Sequence, residues 1–222
     1  MRACIVLAGG AGRRMGGADK AALRVGNVTL LDRVLAAAEP LCSRLVVVGP
    51  VRATTLSEVV FTVEDRPGGG PVPAVRAGMA ETAGADVIFV LAVDLPLLST
   101  KGLEQLAGAL HENGAGAAAA ADDRGRPNPL LAAYRAESLR ATAGPLRGAQ
   151  GGAAACRLLP EDTATVDLGP GQTLNVNTPA DLAAAVSAAG SRGDDAPPGR
   201  AVGPALRRGH PPSNRDRGLS SR

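Results

Sequence analysis

Three short segments concentrate residues able to handle a charged ligand. The first is Leu7-Ala8-Gly9-Gly10-Ala11-Gly12-Arg13-Arg14-Met15-Gly16-Gly17-Ala18-Asp19-Lys20. Glycines let backbone N–H groups approach and cradle phosphate oxygens, and Arg13, Arg14 and Lys20 supply the positive charge that a triphosphate requires. Lys20 runs against the composition, because only it and Lys101 are lysines among the 24 basic residues. The P-loop pattern is excluded, since Lys20 follows Asp19 and precedes Ala21. The dinucleotide fingerprint is excluded as well, since Gly10-Ala11-Gly12 runs into Arg13, Arg14 and Met15.

The second segment is Val93-Asp94-Leu95-Pro96, directly after the most apolar run of the chain. A carboxylate at such a strand end can hold Mg²⁺ against phosphates, or it can cap the following loop. The third is Glu64-Asp65-Arg66-Pro67-Gly68-Gly69-Gly70-Pro71, whose glycines permit close backbone approach and whose Pro71 opens a helix. Further on, Asn175-Val176-Asn177-Thr178 offers two amides at strand spacing, on one face toward a polar ligand or spent in turn and capping bonds.

Alternating strand-like and helical segments must position these residues. Strands are predicted at 3–8, 44–48, 59–63 and 86–93, and helices at 30–38, 71–82 and 100–113. The run Val87-Ile88-Phe89-Val90-Leu91-Ala92-Val93 is apolar on both faces, as a central parallel strand must be. This order predicts a doubly wound α/β fold, a Rossmann-like three-layer sandwich around a mostly parallel sheet, with ligands beyond the carboxyl ends of the strands. Residues 117–121 fit either an inner strand or a helix. Pro127 and Pro129 predict an extended edge segment running to Tyr134, and 144–152 reads as a glycine-rich mobile stretch. A last strand is predicted near 174–176. Thr178 as N-cap, Pro179 and Asp181 then start a helix that stops near Gly190.

Of 222 residues, 45% are hydrophobic, yet the chain has one Tyr, two Phe and no Trp, which argues against a nucleic-acid module built on aromatic stacking. No apolar run approaches the roughly 20 residues of a membrane span, and the start reads as a strand rather than a signal segment, so a cytoplasmic location is expected. The three cysteines, Cys4, Cys42 and Cys156, and the two histidines lack metal-ligand spacing. Of the net charge of +3, seven Arg against three Asp place +4 in residues 190–222, leaving about −1 in 1–189. That stretch is rich in Gly and Pro and shows no apolar periodicity. It is expected to be a disordered tail after a single domain at 1–189, with a basic arm touching a polyanion as the other reading.

Taken together, LAGG-x-x-x-RMGG-x-DK, VDLP and NVNTPxDL resemble the molybdenum cofactor guanylyltransferase (MobA-type) family of the nucleotidyltransferase superfamily, over residues 3–189. The resemblance implies a fold of the nucleotide-diphospho-sugar transferase type. It implies transfer of GMP from GTP to molybdenum-bearing molybdopterin, with release of pyrophosphate and Mg²⁺ as cofactor. Carried over by motif, Leu7, Ala8 and Gly9, with Gly10 and Gly12 of the same loop, meet the nucleotide through their backbone, and Arg14 and Lys20 stabilise its phosphates. Asp65 contacts the nucleotide, Asp94 binds nucleotide and Mg²⁺, and Asn175 and Asn177 lie on the pterin side. The catalytic set is Arg14, Lys20 and Asp94, and passing contact with molybdoenzymes follows from the product. The family pattern has an Asn where Gly49-Pro50 stands, GPLAG where Gly70-Pro71-Val72-Pro73-Ala74 stands, and a basic stretch where Gln150-Gly151-Gly152 stands. Two other readings are a nucleotidyltransferase for another phosphorylated acceptor, such as a sugar or polyol phosphate, and a nucleotide-binding homologue without catalysis.

Overall fold

A computed structural model describes residues 1–10, 17–65, 68–144, 152–169 and 171–191. The expected tail therefore lies almost wholly outside the described residues, as does most of the glycine-rich stretch at 144–152.

The apolar run Arg2–Leu7 forms β1, followed by a small hairpin of β2 (Arg24–Val25) and β3 (Val28–Thr29). Helix α1 (Leu30–Ala38) begins where the Thr29 hydroxyl accepts from the Asp32 backbone N–H, a standard N-cap. Then come β4 (Arg44–Val48), β5 (Val59–Thr62), α2 (Pro71–Ala80), β6 (Val87–Ala92) and α3 (Thr100–Glu112). The second half adds β7 (Ala117–Ala121), β8 (Pro127–Arg135), α4 (Ala136–Ala143), β9 (Ala164–Val166) and α5 (Pro179–Gly190). The main sheet runs β5-β4-β1-β6-β8-β7-β9, parallel except for β8, which is antiparallel to both neighbours.

Alternation along β1 divides the core into two layers. Cys4 and Val6 face Leu31, Val34, Leu35, Leu103 and Leu106 of α1 and α3. Ala3, Ile5 and Leu7 face the other way, toward Val72 and Val75 of α2 and Leu139 of α4. Helices on both faces make the expected three-layer sandwich. A third cluster, with Val25, Leu30, Leu97, Val176, Ala185 and Ala189, holds the hairpin and α5 against the end of the sheet. The pairing of Leu7 with Val48 and with Ala92, and of Val48 with Thr62, brings four strand ends level. The segments after β1, β4, β5 and β6 thus share one edge.

Helix α2 approaches β1 at Gly78, where a methyl group would sit 2.5 Å from Cγ2 of Ile5 and 3.1 Å from Cγ2 of Val48. Alanine favours a helix over glycine by about 1 kcal/mol. Both methyls belong to stiff β-branched chains buried in the core, and overpacking costs about 1–3 kcal/mol. Gly78→Ala is therefore expected to destabilise the fold, read as a lower urea midpoint at unchanged slope.

Two sequence expectations need correction. The segment with Pro127 and Pro129 is not at an edge, because β8 lies between β6 and β7. Its prolines are tolerated because the ladder to β6 spans only Leu131–Arg135, so both stand beyond it, and a register shift toward β7 falls at the same end. No strand forms at 174–176 either. There the Leu174 N–H donates to the Gly171 carbonyl and the Val176 N–H to the Asp94 carbonyl, so the bonds that would build a ladder go to a turn and a tether. The open choice at 117–121 resolves as a strand, despite five alanines, because β8 and β9 pair with it on either side.

Candidate active site

The first glycines leave β1 at the common edge. The Ala8 N–H donates to the Val48 carbonyl (2.9 Å), and Ala8 is buried while Gly9 and Gly10 are exposed. Gly12 and Arg14 lie outside the described residues. Alongside, the Val93 N–H donates to the Leu7 carbonyl (3.2 Å), so Asp94 emerges beside the start of the glycine loop. On the other side Gly49 leaves β4. A Cβ at Gly49 would lie 2.9 Å from the Ala8 carbonyl carbon and 3.1 Å from the Gly9 nitrogen, and its φ is +152°. In this backbone the position that carries Asn in the family pattern has no room for a side chain.

Lys20 opens a one-turn 3-10 helix, Lys20–Ala22, capped by Asp19, whose carboxylate accepts from the Ala21 N–H. This turn aims the Lys20 ammonium across the edge, where it donates to Oδ2 of Asp94 (2.9 Å) and Oδ1 of Asn177 (2.7 Å). Residues separated by 74 and 157 positions in the chain thus meet at one cation. The Lys20 and Asp94 side chains are 22% and 15% exposed, sheltered yet reachable. The other Asp94 oxygen, Oδ1, is buried without a hydrogen-bond partner among the described residues. A buried carboxylate oxygen left without a donor costs free energy unless something positive comes to it.

Asn177 is fixed from below. Asp181 accepts from the Asn177 and Thr178 N–H groups (2.9 and 2.8 Å) while Thr178 caps α5 as predicted, and the reciprocal bonds make a capping box. The hydrogen bond from the Asn177 N–H leads in holding the Asp181 carboxyl below its usual value. Asn175 does not share a strand face with Asn177, since no strand forms here; its amide donates to the Thr173 carbonyl. The structure thus brings Asn177 to Lys20 and gives the Asn175 amide a turn partner. Asp65 stands exposed after β5, at the same edge, and makes no hydrogen bond to a described residue. Its neighbour Glu64 folds inward to accept from the Gly69 N–H (3.2 Å), and burial pushes the Glu64 carboxyl up.

Sequence reasoning missed Arg52 and the part played by Asp19. Arg52 makes a two-pronged bridge to the Asp19 carboxylate, Nε to Oδ2 at 2.6 Å and Nη2 to Oδ1 at 2.9 Å. An arginine in an irregular loop carries no spacing signal. The unusual adjacency of an acid and the rare lysine, Asp19-Lys20, was the one clue in the chain. Cys4 is buried and Cys42 half-buried, and burial pushes the Cys42 thiol up to about 12; Cys156 is exposed.

Among the described residues no group of three or more His, Cys, Asp or Glu could hold a metal ion by itself, and no helix is long and apolar enough to cross a membrane. The donor set at the edge is instead one carboxylate with a free oxygen. That suits Mg²⁺, which is bound through one or two carboxylates with substrate phosphates completing its shell.

A family model described as the MobA-like NTP transferase domain matches residues 4–165, which include Lys20 and Asp94. The chain belongs to the MobA-like NTP transferase family. As a member of it, the protein is a nucleotidyltransferase. The chain is 36% identical over 197 residues to the molybdenum cofactor guanylyltransferase of Cereibacter sphaeroides, covering 82% of this chain and 94% of that protein. It is also 36% identical over 193 residues to the probable molybdenum cofactor guanylyltransferase of Mycobacterium avium, covering 83% and 94%. Among solved structures, molybdopterin-guanine dinucleotide biosynthesis protein A of Archaeoglobus fulgidus superposes with a TM-score of 0.65 at 22% identity, over 86% of this chain and all of that one. The 2-C-methyl-D-erythritol 4-phosphate cytidylyltransferase of Thermus thermophilus superposes at 0.62 and 23% identity, over 85% and 99%. At these identities the superpositions establish the shared α/β fold of this MobA-like transferase.

Proposed function

We propose that this chain transfers GMP from GTP to molybdenum-bearing molybdopterin, giving the guanine dinucleotide form of the cofactor and releasing pyrophosphate. The observation that carries the reading is the meeting of Lys20, Asp94 and Asn177 at the carboxyl edge of the sheet, in a chain 36% identical to a protein named for that reaction. In the reaction, an oxygen of the pterin's terminal phosphate attacks the α-phosphorus of GTP. The bond from that phosphorus to the oxygen bridging to the β-phosphate breaks, and pyrophosphate leaves with the electron pair. A phosphate monoester is already largely ionised near neutral pH, its second pKa being about 6, so the attacking oxygen needs no protein base. Positioning and charge neutralisation are what remain for the protein.

Lys20 serves the phosphates of GTP, with Arg14 as its expected companion from the loop. The backbone of Leu7, Ala8, Gly9, Gly10 and Gly12 receives the nucleotide, Asp65 contacts it from the end of β5, and Asn175 and Asn177 serve the acceptor side. Asp94 would hold Mg²⁺ through the oxygen that lacks a donor. Bound there, the ion would supply charge neutralisation at the triphosphate. The reading places the work in the cytoplasm with no nucleic acid or membrane partner, and it makes molybdoenzymes the passing recipients of product.

The test is pyrophosphate release from GTP, CTP, ATP and UTP with Mg²⁺, with and without molybdenum-loaded molybdopterin. Release confined to GTP and dependent on the pterin is expected. Binding of GTP without release would withdraw the acceptor assignment and leave the nucleotide site.

A further inference from the structure

Lys20 can meet a triphosphate only if its short turn is held still, and the contacts that hold it come from a different loop. After β4, residues 49–58 cross toward the glycine loop without secondary structure of their own. Their anchor is Asp32, a buried carboxylate in the first turn of α1. It accepts from the Thr54 hydroxyl (2.8 Å), the Thr55 N–H (2.9 Å) and the Thr55 hydroxyl (3.1 Å), besides the Thr29 hydroxyl. Burial pushes the Asp32 carboxyl up, and these donors outweigh it, leaving the group below its usual value and ionised.

From that anchored loop Arg52 reaches out with all three of its nitrogens engaged. Nη1 donates to the Pro50 carbonyl (2.9 Å), while Nε and Nη2 fork onto Asp19. The Arg52 side chain is only 16% exposed, whereas Asp19 is 45% exposed. An ion pair open to water on one side adds little to folding stability, so its consequence lies in geometry. That geometry falls on Lys20. The same Asp19 carboxylate caps the turn at Ala21, the Asp19 backbone carbonyl accepts from the Ala22 N–H (3.0 Å), and Lys20 lies between.

The geometry points to Arg52 and Asp19 as a positioning pair for Lys20, a bridge by which the loop after β4 sets the ammonium for the triphosphate. Neither residue touches Asp94 or Asn177; both act through the turn. The inference rests on the guanylyltransferase reading for its ligand, while the bridge itself can be examined with no ligand at all.

Two measurements test it on the full chain. Without nucleotide, amide hydrogen exchange at Ala21 and Ala22 should quicken in Arg52→Met, while global unfolding by circular dichroism stays where it was. With Mg²⁺, fluorescent N-methylanthraniloyl-GTP should bind Arg52→Met about tenfold more weakly, less than the ~100-fold that a misplacement of about 1 Å can cost. Asp19→Asn keeps an acceptor for the Ala21 cap but loses the charge, so it should weaken binding in the same direction and by less. In a Lys20→Ala background the Arg52→Met change should add less than about twofold, because groups acting through one another are not additive. Equal weakening with and without Lys20, or unchanged exchange at Ala21 and Ala22, overturns the inference. Failure of the unmodified chain to bind the analogue would instead overturn the GTP reading, and the exchange result would still decide the bridge.

Discussion

Asp94→Ala is expected to lower the rate of GMP transfer by roughly 10³-fold or more, the loss of several kcal/mol that a metal-held charge supplies to a phosphoryl transition state. The same variant should bind GTP without Mg²⁺ as tightly as the unmodified chain, or more tightly. Two effects set that direction. Removing the carboxylate takes a negative charge from the path of a polyanion, and it frees the Lys20 ammonium from its 2.9 Å partner. Rate and affinity should therefore move apart, and the dependence of the residual rate on Mg²⁺ concentration should flatten. The fold should hold. The tether to the C-terminal segment is the Asp94 backbone carbonyl, which accepts from the Val176 N–H at 2.9 Å and survives the substitution. Full transfer activity in this variant, with its Mg²⁺ dependence intact, would refute the assignment of Asp94 to the metal.

Most of the sheet was legible because its strands and helices carry strong periodic signals. β1, β4, β5 and β6 fall within one residue of expectation at nearly every end. α5 also begins at the Thr178 cap read from the chain, and α1 at the predicted Leu30. Legibility failed where tertiary pairing overrode local preference. Five alanines have no pattern, and only pairing with β8 and β9 makes them a strand. Pro127 and Pro129 argue for an edge on donor counting alone, and the staggered ladder that spares them exists only in three dimensions.

The site divides in the same way. Lys20 and Asp94 were readable from composition and from the strand ends that deliver them, and the structure joins them at a salt bridge. The sequence left Asn175 and Asn177 open between a polar ligand and turn or capping bonds, and only the fold sends Asn177 to Lys20 and the Asn175 amide to the Thr173 carbonyl. The outcome depends on the missing strand at 174–176 and on Asp181 pulling the Asn177 backbone into the capping box. Gly49 shows a further limit. As a sequence departure it looks like a lost contact, whereas the backbone of Ala8 and Gly9 leaves nothing larger than hydrogen room to stand there.

Lys20→Ala is expected to cut kcat/KM for GTP by about 10²–10³-fold, the scale on which one preorganised charge contact to a transition state is lost. The larger share should appear in kcat if the ammonium meets charge that grows as pyrophosphate departs, and in KM if it serves the ground-state triphosphate. Lys20→Arg should restore little. A guanidinium is planar and bulkier, and the present geometry places one small cation within 2.9 Å of Asp94 and 2.7 Å of Asn177 at once. In the folded protein the loss leaves the Asp94 carboxylate, already carrying one unpartnered buried oxygen, without its only direct hydrogen-bond donor among the described residues. Asp94 then sits in a more negative site, so the Mg²⁺ concentration for half-maximal rate should fall even as the maximal rate drops. A merely structural lysine would give the reverse pattern: a lower melting temperature, with GTP affinity and Mg²⁺ response unchanged in the protein that remains folded.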